Sequence, residues 1–247
     1  MRSAEQNAQA GVDRRVGAIV VGAGGGRRMR DVEKAFMLIA GRPLLAYCVD
    51  VFDACPLVDD VCLVVAEASL LRTRDVARDQ GWQKIAGIVA GGAQRQDSVW
   101  AGLEALGDSC EWVLVHDAAR PLVTAVIVER GLAAARRHGA AVAAVPVRDT
   151  LKRVREHAGD LLVWDTIERA NLWAAQTPQV FRTSVIRQAF QLAGRHARQF
   201  TDDASLVEAM GWSVAVFEGS AQNVKVTYPE DVPLVEALLR AREAGGR

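Results

Sequence analysis

Four consecutive apolar residues, Ala18-Ile19-Val20-Val21, stop at a cluster of glycines, Gly22-Ala23-Gly24-Gly25-Gly26. Such a run reads as a buried strand entering a tight turn, because glycine takes positive φ freely and keeps side chains away from a ligand. The turn leaves backbone N–H groups pointing into open space. Arg27, Arg28, Arg30 and Lys34 follow within eight residues of the last glycine. Bare N–H groups beside clustered cations favour an anion, phosphate above all. A plain strand-to-helix turn with a solvated basic face is the alternative.

Two familiar phosphate motifs fit the stretch poorly. A Walker loop requires Gly-x-x-x-x-Gly-Lys-Ser/Thr, and neither Lys-Ser nor Lys-Thr follows these glycines. A dinucleotide turn requires Gly-x-Gly-x-x-Gly, and Arg27 stands where the third glycine belongs. A nicotinamide-dependent oxidoreductase would also need an acidic residue about 20 positions on, at the end of the second strand. Glu67 lies too far along to serve.

Downstream the chain alternates. Phe36 to Ile39 leads through a turn at Ala40-Gly41-Arg42 to a helix with Pro43 in its first turn, carrying Leu44, Leu45, Cys48, Val49 and Phe52 at helical spacing. Val61 to Val65 is an unbroken apolar run, typical of a strand covered on both faces. A polar helix is expected at about 69–79 and a strand near Ile85 to Val89. Strand and helix in turn predict an α/β fold with a mostly parallel sheet and helices on both faces, whose ligands gather at the carboxyl ends of the strands.

Gly91-Gly92 closes the third strand, and Asp97 or Ser98 is placed to cap the helix through Leu106. Trp112 to Val115 is the next buried strand, ending in His116-Asp117-Ala118-Ala119-Arg120-Pro121. An aspartate at the mouth of a central strand can hold a divalent cation or a ligand hydroxyl, and Arg120 can offer a planar fork to phosphate. An Asp turn ahead of Pro121 explains the same residues without a ligand. Thr124 caps a helix to His138, and Ala140 to Val147 makes another strand. Arg148 to Val154 and Leu162 to Ile167 then alternate as the two strands of a ribbon around Gly159. An extended arm rarely stays unpaired, so it is expected to embrace a second subunit. A helix at about 184–195, a helix capped by Thr201 to Ser205, and a strand at Ser213 to Phe217 follow. Asn223 to Val226 reads as a short strand returning Lys225 to the sheet, and Thr227 with Glu230 as a capping box for the last helix.

Thirty basic residues balance thirty acidic ones, so no global field draws the chain to nucleic acid or to a membrane, and any anion site is local. The four cysteines include no Cys-x-x-Cys pair and read as reduced, packed thiols. Residues 1–15 are polar and read as a flexible N-terminal tail, no run reaches a membrane span, and a cytoplasmic location is expected. Residues 16–247 are read as one domain with its arm at about 148–170.

Taken in order, Gly24-Gly25-Gly26-Arg27-Arg28-Met29 with Lys34, Gly91-Gly92 through Val99, His116 to Pro121, Pro146 to Thr150, Thr177-Pro178-Gln179, Thr201 to Ser205 and Asn223 to Thr227 resemble the 2-C-methyl-D-erythritol 4-phosphate cytidylyltransferase family of the non-mevalonate isoprenoid pathway. The resemblance spans roughly residues 16–240. It implies a Rossmann-like nucleotidyltransferase fold, CTP as nucleotide donor, Mg2+, and a homodimer joined by the arm. It also implies that Arg28, Lys34 and Lys225 act on the triphosphate and the five-coordinate phosphorus, and that Ala23, Gly24, Gly25, Gly26, Gly92, Ser98 and Ala118 bind CTP. Asp117, Arg120, Thr177 and Lys225 would hold the sugar-alcohol phosphate, with Thr150 and Arg169 reaching in from the partner's arm and Asp117 the candidate metal ligand.

The chain departs from the family's pattern at Val21 and Glu33, where prolines are usual, and between Met29 and Lys34, one residue shorter. Loss of a φ lock and an added carboxylate beside Lys34 are expected to loosen that loop. A cytidylyltransferase for another phosphate such as ribitol 5-phosphate, a sugar 1-phosphate nucleotidyltransferase, and an idle CTP-binding protein are the competing readings.

Overall fold

The computed structural model describes residues 15–24, 33–193 and 200–245. β1 (Val16–Val21) is followed by a 3-10 turn (Lys34–Phe36) and a small hairpin, β2 (Leu38–Ile39) with β3 (Arg42–Pro43). Helix α1 (Leu44–Ala54), β4 (Asp60–Val65), α2 (Leu70–Gln80), β5 (Ile85–Ala90), α3 (Arg95–Leu106) and β6 (Trp112–Asp117) complete the alternating half. The second half adds α4 (Ala125–His138), β7 (Ala140–Pro146), β8 (Leu151–His157), β9 (Asp160–Ile167), β10 (Trp173–Arg182), α5 (Thr183–Ala193), α6 (Asp203–Ala209), β11 (Ala215–Glu218) and α7 (Asp231–Gly245).

Among the described residues the main sheet has seven strands in the order β11-β7-β10-β6-β1-β4-β5. β1 runs parallel to both β4 and β6, β4 to β5, and β11 to β7, while β10 is antiparallel to β6 and β7. The continuous apolar runs are explained by two cores, one on each face. On one face α1 buries Leu45, Val49 and Phe52, and α4 buries Ile127, Val128 and Leu132. On the other, Val99 and Leu103 of α3 pack with Val185 and Ile186 of α5 and with Leu206 of α6. Truncating a fully buried leucine such as Leu103 costs about 2–5 kcal/mol in a core of this kind.

A third cluster, Ile39, Leu44, Leu122, Val226, Val235 and Leu239, joins the hairpin, α1 and α7 to the loop that carries Lys225. Its position beside the carboxyl ends of the strands makes it the floor on which the site loops rest. The four cysteines are buried free thiols, and burial pushes the thiols of Cys48 and Cys62 up to about 12.

Several local expectations change. Gln94, not Asp97 or Ser98, is the N-cap of α3; Asp97 is its capping-box partner, accepting from Gln94 N at 2.9 Å. Asn223 to Val226 is a loop without a strand ladder. The last helix starts at Asp231, whose Oδ2 accepts from Thr227 N and Tyr228 N at 2.7 and 2.8 Å, so Asp231 replaces the Thr227–Glu230 box. β10 is a strand that the sequence pattern does not announce: its central residues Gln176, Thr177 and Gln179 are polar, and Pro178 follows a cis peptide bond. Those polar groups are buried but satisfied. Gln179 donates to Asp202 Oδ2 at 2.8 Å and accepts from Ala204 N at 2.9 Å, and Gln176 donates to Ser220 O at 2.9 Å.

The arm is present as the antiparallel ribbon of β8 and β9, with a register irregularity between Arg153 and Val154. Leu161 and Leu162, consecutive and so on opposite faces of the regular part of β9, are 71% and 45% exposed. Both faces of this strand therefore offer apolar surface.

Candidate active site

The carboxyl ends of β1, β5 and β6 open into a cavity of about 500 Å3. Gly22, Ala23 and Gly24 form one wall. Gly22 does not take the positive φ that a glycine turn leads one to expect. Close packing favours it instead, since a Cβ there would stand 3.1 Å from that of Ala35, which would have to give by a few tenths of an ångström. At Gly24 an added Cβ would meet nothing within 4 Å, so that backbone faces open space. Gly25, Gly26 and Arg28 lie outside the described residues.

The end of β5 and the start of α3 form a second wall, with Gly92, Arg95 and Ser98 lining it. A Cβ on Gly91 would fall 2.3 Å from that of Ala23 and 2.5 Å from Ser98 Oγ, and one on Gly92 would fall 2.3 Å from Asp97 Cβ. No side chain fits at either position. The two glycines thus let the loop after β1 and the first turn of α3 close on one space.

Asp117 and Ala118 form the floor at the end of β6. Asp117 Oδ2 accepts from Lys225 Nζ at 2.6 Å, and Oδ1 lies 3.3 Å from Arg95. Burial works to raise the Asp117 carboxyl, but Arg95 and then Lys225 outweigh it and hold the group far below the usual carboxylate range. Burial likewise opposes the charge on Arg95, and Asp203 with Asp117 more than offsets it. Asp117 is an anion at any physiological pH.

Behind the floor runs a relay. The Arg120 carbonyl accepts from His116 Nε2 at 3.0 Å, so Nδ1 accepts from Thr177 Oγ1 at 3.0 Å, and Thr177 Oγ1 accepts from Asp117 N at 3.0 Å. Burial pushes the His116 imidazole down to about 4. Thr177 is turned into this relay and does not line the cavity. Arg120 is turned away as well, donating to Asn223 O at 2.7 Å.

Lys225 is held by its neighbours. Asn223, fully buried, donates to Thr177 O at 2.8 Å, and Val226 N donates to Ala119 O at 2.8 Å. Lys34 reaches the same cavity from the 3-10 turn, anchored by the buried Ala35 and Phe36, and donates to Thr227 O at 3.1 Å. Glu33 before it has a φ of −68°, the value a proline ring would impose, and its carboxylate accepts from Ser69 Oγ. A tertiary hydrogen bond thus fixes Glu33 beside Lys34, while the rest of the shortened segment, residues 29–32, lies outside the described residues. Thr150 and Arg169, at the base of the arm, are exposed and do not line this chain's cavity; Arg169 donates to Arg148 O.

Arg95 and Asp203 are the site residues that the sequence reading passed over. Arg95 donates to Asp203 Oδ2 at 2.7 Å across 108 positions, a pairing with no local signal. No cluster of three His, Cys, Asp or Glu side chains able to hold a metal is found among the described residues, and Asp117 is the carboxylate facing the cavity.

A glycine-walled cavity with lysines from two loops, at the carboxyl ends of parallel strands, is the site of a nucleotide-handling α/β protein whose chemistry lies at phosphate. The sequence pattern described as IspD, 2-C-methyl-D-erythritol 4-phosphate cytidylyltransferase, matches residues 16–241. A 2-C-methyl-D-erythritol 4-phosphate cytidylyltransferase of Dehalococcoides mccartyi (strain CBDB1) is 43% identical over 229 residues, 93% of this chain and 98% of the relative. The crystal structure of 4-diphosphocytidyl-2C-methyl-D-erythritol synthase from Anaerococcus prevotii matches with a TM-score of 0.80 at 27% identity, covering 92% of this chain and 99% of that one. That of the 2-C-methyl-D-erythritol 4-phosphate cytidylyltransferase from Thermus thermophilus matches at 0.72 and 35% identity, covering 90% and 98%. The chain belongs to the 2-C-methyl-D-erythritol 4-phosphate cytidylyltransferase family, a family of nucleotidyltransferases.

Proposed function

We propose that this chain transfers CMP from CTP to 2-C-methyl-D-erythritol 4-phosphate, releasing diphosphate and 4-diphosphocytidyl-2-C-methyl-D-erythritol. The observation that carries the reading is the convergence of Lys34 and Lys225 on one glycine-walled cavity with Asp117 at its floor. An oxygen of the acceptor phosphate attacks the α-phosphorus of CTP, the new P–O bond forms, and the α–β anhydride breaks with its electron pair leaving on diphosphate. The acceptor phosphate is already ionised near neutral pH, so no protein nucleophile is needed. The work is positioning and fixed positive charge.

Lys34 and Lys225, with Arg28, offset the charge that builds on the phosphoryl oxygens. Ala23 and Gly24, with Gly25 and Gly26, supply backbone donors, and Gly92, Ser98 and Ala118 bound the nucleoside. Asp117 and Lys225 hold the acceptor, with Arg120 and Thr177 shaping the floor through the His116 relay. A magnesium ion fits the donor set, since Mg2+ is commonly bound by one or two carboxylates together with phosphates and water. Asp117 would be the protein's share, and the bound ion would neutralise part of the triphosphate charge. Residues 16–247 act as one nucleotidyltransferase domain in a homodimer, in which β8 and β9 bring Thr150 and Arg169 to the partner's cavity. The exposed apolar residues of β9 support that assembly. The described residues include no helix long and apolar enough to cross a membrane, which is compatible with a cytoplasmic enzyme.

The test is phosphorus NMR of CTP, Mg2+ and the acceptor incubated with the protein. Paired diphosphate-diester signals beside free diphosphate are expected, and a chelator should abolish both. CTP bound but unchanged would replace the enzyme with an idle CTP-binding protein.

A further inference from the structure

Arg95 occupies the first position of α3, a place where the helix dipole disfavours a cation. Two carboxylates hold it there. Asp203, at the start of α6, pairs with it at 2.7 Å and has a side chain only 1% exposed; Asp117 lies 3.3 Å away on the other side. The guanidinium fork therefore bridges α6 to the end of β6 while its own side chain, 28% exposed, still lines the cavity. Lysine has no planar fork with which to span two carboxylates in this way.

Asp117 is thus held by two cations of different kinds. Arg95 is anchored, because leaving Asp117 would not release it from the buried Asp203. Lys225 carries a flexible stem, its side chain is 43% exposed, and its other restraints are on the backbone of its loop. When a phosphate enters, Lys225 is the cation that can turn to it. Were Asp117 held by Lys225 alone, that turn would leave a buried carboxylate with its nearest counter-charge withdrawn, a cost set against phosphate binding.

Resting on the functional reading above, we propose that Arg95 is a positioning residue: it balances Asp117 so that Lys225 can be handed from this carboxylate to an incoming phosphate. Arg95 itself need not touch the reacting atoms.

The test compares the full-length wild type with Arg95→Met, Arg95→Lys and the double variant Arg95→Met/Asp203→Asn. The double variant removes the buried charge that the single one strands, and so separates stability from positioning. Thermal melting, calorimetric titration with inorganic diphosphate, and kcat and KM for diphosphate release from CTP are measured on each. The double variant is expected to melt near the wild type, bind diphosphate about tenfold more weakly, and show a KM for the acceptor phosphate raised by a similar factor, as a charge lost from a binding relay predicts. Arg95→Lys is expected not to restore either. Return of wild-type diphosphate affinity and KM in the double variant, together with its stability, would reduce Arg95 to a partner of Asp203 and overturn the proposal. Full rescue by Arg95→Lys would overturn it too, because charge without the bridge would then suffice. Failure of the wild type to turn over CTP with the acceptor tells against the functional reading alone; the diphosphate titrations still decide whether Arg95 governs phosphate binding.

Discussion

Lys225 places its Nζ 2.6 Å from Oδ2 of Asp117, 108 positions earlier in the chain. The contact joins the loop after β11 to the end of β6 and sets a cation at the floor of the cavity. It acts beside the Arg95–Asp203 ion pair and the Lys34–Thr227 hydrogen bond, which also join the two halves of the chain there.

Replacing Lys225 by Met removes a cation from the cavity while Asp117 keeps Arg95. The variant should fold, with its melting temperature little changed, and kcat/KM for diphosphate release should fall about 10²- to 10³-fold. Turnover equal to the wild type would take Lys225 out of the chemistry.

In the proposed homodimer, Arg169 of the arm reaches the neighbouring cavity. Arg169→Ala should raise KM for the acceptor phosphate, and Lys34→Ala should lower kcat about 10²- to 10³-fold. Mixing the two impaired proteins under subunit exchange should restore up to one intact site in each mixed dimer. An inert mixture in which mixed dimers are shown to form would mean that each site is built from a single chain.

Gly91 permits no side chain. A Cβ there would strike Ala23 and Ser98, so Gly91→Ala should destabilise by about 1–3 kcal/mol, as overpacking does. Because the displaced residues bound the nucleoside in the proposed reading, KM for CTP should rise more than KM for the acceptor. Equal effects on both would place the strain elsewhere.

His116 makes stability sensitive to acid. Its folded value, about 4, lies below the ordinary 6.5, so the unfolded chain takes up the proton first as pH falls. The stabilisation is complete above about 6.5 and is lost progressively as pH falls through about 4, amounting to roughly 3 kcal/mol in all. Urea melts should show this loss in the wild type, and His116→Gln should lose less across the same window. Parallel pH profiles would show that another group titrates there.

Much of the fold was legible because β1, β4 and β6 are covered on both faces, which leaves them nearly all apolar in sequence. β10 was hidden because its buried groups are polar and are satisfied by residues far along the chain, Asp202, Ser220 and Asn223 among them. The same reason hid Arg95. A lone arginine after two glycines reads as solvated, and only the fold brings it to Asp203. Lys34, Asp117 and Lys225 stand out in the sequence by their places after the glycines, at the mouth of a central strand and on a returning segment; family resemblance supplies the roles proposed for them, and the structure adds what holds each in place. Thr177 and Arg120 are engaged by neighbouring groups away from the cavity, a placement that no local pattern announces.

The central claim is tested most directly by continuous measurement of diphosphate release with Mg2+, CTP and 2-C-methyl-D-erythritol 4-phosphate, beside ribitol 5-phosphate as acceptor and ATP, GTP and UTP as donors. Rapid release with CTP and methylerythritol phosphate, and far slower release with every other pair, is the predicted result. Preference for ribitol 5-phosphate would contradict the acceptor, and no release with any pair would contradict the reaction itself.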